Sequence, residues 1–83
     1  MTERRRYYMV EGLSERIESI YAKTGLTQRE FARRIGVRPE TLREWLTGRS
    51  SPSALSLAKI CATFKVSADY MLFGKRGGKN ETD

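Results

Sequence analysis

Histidine is missing from this 83-residue chain and cysteine occurs once. Without an imidazole the usual general base and the commonest metal ligand are gone. A lone thiol adds no zinc set and no histidine-activated nucleophile. Cys61 has no internal disulfide partner, and its place in a helical apolar pattern with Leu57, Ile60 and Phe64 reads as a small, reduced core residue. Long apolar runs are missing too. The longest, Tyr7 to Val10 and Tyr70 to Phe73, fall far short of a membrane span or a signal-peptide core, although three arginines precede the first. These absences lead to the expectation of a soluble, cytoplasmic protein. No strand alternation, internal repeat or low-complexity tract is seen, so a helical domain is expected. Carboxylates are present, but no convergent pair stands in a recognisable pocket motif, and so small a chain has little room for an apolar cavity. An enzyme is therefore not expected, nor a cofactor, nor a metal.

What the chain does have is positive charge. Sixteen Lys/Arg against ten Asp/Glu give a net +6. Residues 9–74 hold ten basic and seven acidic side chains, and the stretches outside them supply the other half of the excess. Within 27–50 alone stand Arg29, Arg33, Arg34, Arg38, Arg43 and Arg49 against Glu30, Glu40 and Glu44. A moderately basic balance is common in proteins that bind nothing charged. Its concentration on one segment favours a polyanionic partner such as nucleic acid.

That segment, Thr27 to Gly48, holds two short amphipathic runs joined at a glycine. In the first, Phe31, Ala32 and Ile35 share a helical face, while Arg29, Arg33 and Arg34 fall elsewhere on the wheel. Thr27 precedes it as an N-cap and Glu30 sits three residues later, the spacing of a capping box. Gly36 follows where a helix ends in a left-handed residue. Pro39 suits the first position of the next helix, in which Leu42, Trp45 and Leu46 recur at i, i+3 and i+4. The pair reads as a helix-turn-helix.

The rest of the chain reads as its support. Leu13, Ile17, Ile20 and Tyr21 mark a first helix, with Glu11, Glu15, Arg16 and Glu18 on its other positions and Gly25 at its end. After the loop Arg49 to Pro52, Ser53 caps a fourth helix whose stripe is Leu57, Ile60, Cys61 and Phe64. Ser67 caps a fifth, with Asp69 in its first turn and Ala68, Met71 and Leu72 facing inward. Leu55 and Phe73 do not fit the buried stripes and read as exposed, a hint of a dimer seam. The organisation expected is a basic N-terminal arm over 1–8, a helix-turn-helix domain over 9–74 and a flexible tail over 75–83.

Gly25-Leu26-Thr27-Gln28, Phe31-Ala32, Ile35-Gly36-Val37, Leu42 to Trp45, Gly48, Pro52-Ser53, Leu57 to Ile60 and Val66-Ser67 together resemble the lambda repressor-like helix-turn-helix family of the Xre and Cro type. The likeness covers roughly Leu13 to Gly74. It implies an all-α, compact five-helix domain that binds double-stranded DNA as a homodimer on a palindromic operator, as a repressor more readily than an activator, among the proteins of the nucleoid. No stretch reads as a ligand-binding or catalytic domain, so regulation is expected from a protein partner, from proteolysis or from competition. The other reading is a protein-interaction module of antitoxin or anti-repressor type that has kept the scaffold and lost sequence-specific DNA binding; Pro39, Glu40 and Glu44 favour it.

In the docking mode of this family the start of the second helix of the pair enters the major groove, and the first helix points its N-terminus at the phosphates. The resemblance places base-edge contacts at Pro39, Glu40 and Glu44, flanked by Arg38, Thr41 and Arg43, and a backbone contact at Gln28. Many relatives have a small cap where this chain has Arg38, a long polar side chain where it has Pro39, and glycine where it has Lys65. Proline has no donor, so that position reads by shape, by contact with a thymine methyl, or not at all. Arg43 has a fork that matches guanine O6 and N7, and equally a phosphate. Glu40 and Glu44 have two readings each. Either accepts from cytosine N4; alternatively Glu40 complements the helix dipole, and Glu44 closes a capping box with Thr41 or pairs with Arg43 or another arginine. Thr27, Gln28, Arg29, Thr47, Arg49 and Ser50 border the pair as phosphate contacts, a reading open to Arg38 as well, and the alternative for Arg29, Arg33 and Arg34 is a solvated face. Trp45 is expected in the core rather than on a base. The Arg4-Arg5-Arg6 run either follows the phosphates or is solvated, and Tyr7, Tyr8 and Met9 are candidates to pack on the body or on a second subunit.

Overall fold

A computed structural model of the protein describes residues 10–74. The arm and the tail expected at 1–8 and 75–83 lie outside these residues. Among them the chain forms five α-helices and no strand: α1 Leu13–Thr24, α2 Gln28–Arg34, α3 Pro39–Leu46, α4 Ala54–Phe64 and α5 Ala68–Phe73. None is long and apolar enough to cross a membrane.

Local chemistry marks most of the helix ends. Thr27 accepts the Glu30 N–H at 3.1 Å while the Glu30 carboxylate accepts the Thr27 N–H at 3.1 Å, so the capping box is closed in both directions. Ser53 accepts the Ser56 N–H and Ser67 the Tyr70 N–H, each at 3.1 Å. At the end of α2, Gly36 adopts φ 74°. There Val37 N–H donates to the Ala32 carbonyl at 3.0 Å and Gly36 N–H to Arg33 at 3.2 Å. This pattern closes a helix through a left-handed residue, and a side chain at Gly36 would be strained.

One core joins all five helices. Ile17, Phe31, Ile35, Leu42, Ile60 and Met71 are wholly buried, with Leu13, Ile20, Ala32 and Trp45 beside them. Among the described residues no polar or charged side chain is buried. The Phe31 ring stacks on Phe64 with centroids 4.5 Å apart and planes 9° apart, and meets Tyr21 edge-on at 5.5 Å. Cys61 is half-buried with a free thiol, and that burial pushes its pKa up. Ala68, expected to face inward, is exposed, and α5 is anchored by Met71 instead.

Two polar clips hold α1 to the far ends of other helices. Ser14 donates its hydroxyl to the Leu46 carbonyl at 3.0 Å, at the end of α3. Arg16 donates Nε to the Met71 carbonyl on α5 and Nη2 to the Glu11 carbonyl, both at 2.9 Å. Gly12 precedes α1 at φ 80°, a conformation that strains any side chain, and a Cβ there would also press on the guanidinium of Arg16.

Lys65 ends α4 in the left-handed region at φ 57°, the one described non-glycine residue with positive φ. The β-carbon makes that conformation costly, so Lys65→Gly is expected to raise unfolding free energy by about 0.5 to 1 kcal/mol, net of glycine's greater freedom in the unfolded chain. Urea denaturation reads the change as a higher midpoint at constant slope.

Candidate nucleic-acid interface

α3 buries one face and leaves the rest open. Leu42 and Trp45 are 0% and 3% exposed, so the tryptophan belongs to the core as its spacing predicts. Arg38, Glu40, Arg43 and Glu44 are exposed around the same helix, with Pro39 and Thr41 half-buried between them. The helix starts at Pro39, after Arg38 in extended conformation at φ −80°, and Arg38 makes no side-chain capping bond. Pro39 has no N–H, and the N–H groups of Glu40 and Thr41 point out of the open first turn. Glu40 lies in that turn, where its charge meets the positive end of the helix dipole. Arg43, in the last turn, complements the other end.

α2 presents its N-terminus alongside. Thr27 and Arg29 are exposed and Gln28 is half-buried. The closed capping box commits the Thr27 hydroxyl oxygen and the Glu30 carboxylate to the helix backbone. Thr27 thus orients the start of α2 whatever else it touches.

The end of α3 and the loop after it converge. Arg43, Glu44, Thr47 and Arg49 line one open depression of about 360 Å³. Thr47 donates its hydroxyl to the Arg43 carbonyl at 2.9 Å. Glu44 receives the Ser50 hydroxyl on Oε1 at 3.2 Å, and its carbonyl receives Arg49 N–H at 2.9 Å. The carboxylate partner is therefore Ser50, not Thr41. Thr41 lies inside α3 rather than at its cap, so the capping-box geometry is not available to it.

The described residues hold no cluster of His, Cys, Asp or Glu able to bind a metal ion. What the arrangement offers is a row of exposed guanidinium, carboxylate and hydroxyl groups on a helix fixed from behind. This is equipment for recognising a polyanion or a base edge. The polar ties of Arg16, Ser14 and Glu44 were not legible in the sequence. Each joins groups that only the folded chain brings together, up to 55 residues apart for Arg16 and Met71.

A family profile described as "Helix-turn-helix" matches residues 17–71, more than half of the chain. The protein belongs to the lambda repressor-like helix-turn-helix family. Among the relatives of this helix-turn-helix domain, the repressor protein CI of Enterobacteria phage phi80 is 30% identical over 74 residues, 89% of this chain and 31% of the relative. The HTH-type transcriptional regulator for conjugative element R391 of Providencia rettgeri is 34% identical over 62 residues, 75% of this chain and 28% of the relative. The chain thus spans about a third of the length of the curated relatives it matches. In fold it is similar to the P22 c2 repressor protein, solved in complex with synthetic operator 9T, with a TM-score of 0.71, 24% identity, and coverage of 76% of this chain and 96% of that one. The solution structure of the P22 c2 DNA-binding domain gives a TM-score of 0.72 at 22% identity, with coverage of 88% and 96%.

Thr27→Ala is expected to lower stability by about 1 kcal/mol and Thr27→Ser to retain most of it, because the hydroxyl cap at α2 is lost only in the first. Thermal unfolding of the two variants beside the parent chain checks this.

Proposed function

We propose that this chain is a transcriptional regulator, a repressor more readily than an activator, which binds double-stranded DNA as a homodimer on a palindromic site. The observation that carries the reading is the α2–α3 pair. α3 is locked to the core through Leu42 and Trp45 and leaves Arg38, Glu40 and Arg43 exposed, with Pro39 and Thr41 half-buried between them. This occurs in a chain whose family relatives include a phage repressor and whose fold matches a repressor solved on its operator. In this reading the first turn of α3 and Arg43 enter the major groove, with Arg43 forked onto guanine. Thr27, Gln28 and Arg29 at α2, and Thr47, Arg49 and Ser50 at the loop, lie along the phosphates. Thr47 gives both its N–H and its hydroxyl proton to the Arg43 carbonyl, so it borders the phosphates as part of the helix end. Dimer formation has support in Leu55 and Phe73, apolar side chains 67% and 68% exposed.

Selection from random duplexes is the deciding experiment. An enriched palindrome supports this function; no enriched sequence refutes it and favours the protein-interaction reading. Affinity for the selected duplex is expected to fall with salt by about −0.9 in log-log slope per phosphate contact, whereas a flat titration removes the electrostatic part of the proposal. Arg43→Ala is expected to cost about 1 to 3 kcal/mol on the selected duplex and much less on random DNA, while Arg49→Ala weakens both equally. Equal losses for the two variants on the two duplexes overturn that division of roles.

A further inference from the structure

Glu44 stands one helical turn beyond Glu40 on exposed α3, a position from which a carboxylate can reach cytosine N4. Its bonds point elsewhere. Oε1 accepts the Ser50 hydroxyl at 3.2 Å. Its carbonyl accepts Arg49 N–H at 2.9 Å and Ser50 N–H at 3.4 Å. The carbonyl bonds belong to the helix-ending motif, and any residue at position 44 supplies them. The carboxylate bond belongs to this side chain alone. Glu44 also lines one depression together with Arg43 and Arg49.

We propose that Glu44 is a positioning residue of the α3–α4 loop and not a reader of bases. It ties Ser50 back to the last turn of α3 and so sets where the neighbouring Arg49 meets the DNA backbone. Base readout is then confined to Arg38 through Thr41 and Arg43. Beyond Arg43 the exposed residues at the end of the helix build the loop, as Thr47 does through its bond to the Arg43 carbonyl. This inference rests on the DNA-binding function proposed above.

The test compares Glu44→Gln with Glu44→Met in the full chain. Both remove the charge and are close in size, but only glutamine keeps an acceptor for Ser50. One hydrogen bond of ordinary strength corresponds to about twofold to tenfold in affinity, so the glutamine variant is expected to bind more tightly than the methionine variant by that factor, on selected and random duplexes alike. The gap is expected to vanish when Ser50→Ala is added to each, and duplex selection is expected to return the same preferred base at every position for both variants and the parent. A changed or relaxed base at one position makes Glu44 a reader and overturns the proposal, as does a gap that survives Ser50→Ala. If the parent chain selects no sequence, the DNA-reading function fails separately. The loop role is then read from hydrogen exchange at the Ser50 amide, which is expected to be faster in Glu44→Met than in Glu44→Gln; equal rates overturn it.

Discussion

The stacked rings of Phe31 and Phe64 are the contact on which the rest of this small domain depends. Phe31 is wholly buried, lies flat on Phe64 of α4 and meets Tyr21 of α1 edge-on, so one side chain joins three helices. Removing a ring from a filled core costs about 3 to 5 kcal/mol, against a total stability of about 5 to 15 kcal/mol for a typical domain. No buried ion pair or polar network backs it up among the described residues. Helix α2 is held to the body by the packing of Phe31, Ala32 and Ile35, and α3 by Leu42, Trp45 and the Ser14 bond to the Leu46 carbonyl.

Polar bonds work at the edges of this core and act on orientation more than on cohesion. Arg16 bonds the end of α5 and Ser14 the end of α3, both from α1. Each satisfies a terminal carbonyl that helix geometry leaves without an internal partner. Both ends are therefore referred to the same first turn of α1, which gathers the end of α3 and the end of α5 at one place.

The elements of the fold were legible in the sequence because their signals are local. The capping box at Thr27 and Glu30, the left-handed Gly36, Pro39 at the start of α3 and the serine caps at 53 and 67 each need only a few neighbouring residues, and the structure has each in place. The stripes of α1 to α3 likewise fall in the core, buried except for Tyr21 and Leu46, which are half-buried against it. Side-chain partners were less legible. Glu44 has acidic chemistry that fits a cap, a salt bridge or a base, and the choice of Ser50 depends on how the loop folds back. Arg16 read as one more charge on an open face because its acceptor lies 55 residues away. Ala68 was misplaced since a six-residue helix is too short for its period to define a face.

Pro39 has a consequence of a different kind. Its ring fixes the first backbone angle of α3 before any partner arrives, and Leu42 and Trp45 hold the following turn from below. A helix that enters a groove already formed has little backbone freedom left to lose on contact. In the function proposed, association through this surface is a docking of rigid bodies, with a rate set by orientation and electrostatic steering rather than by folding of α3.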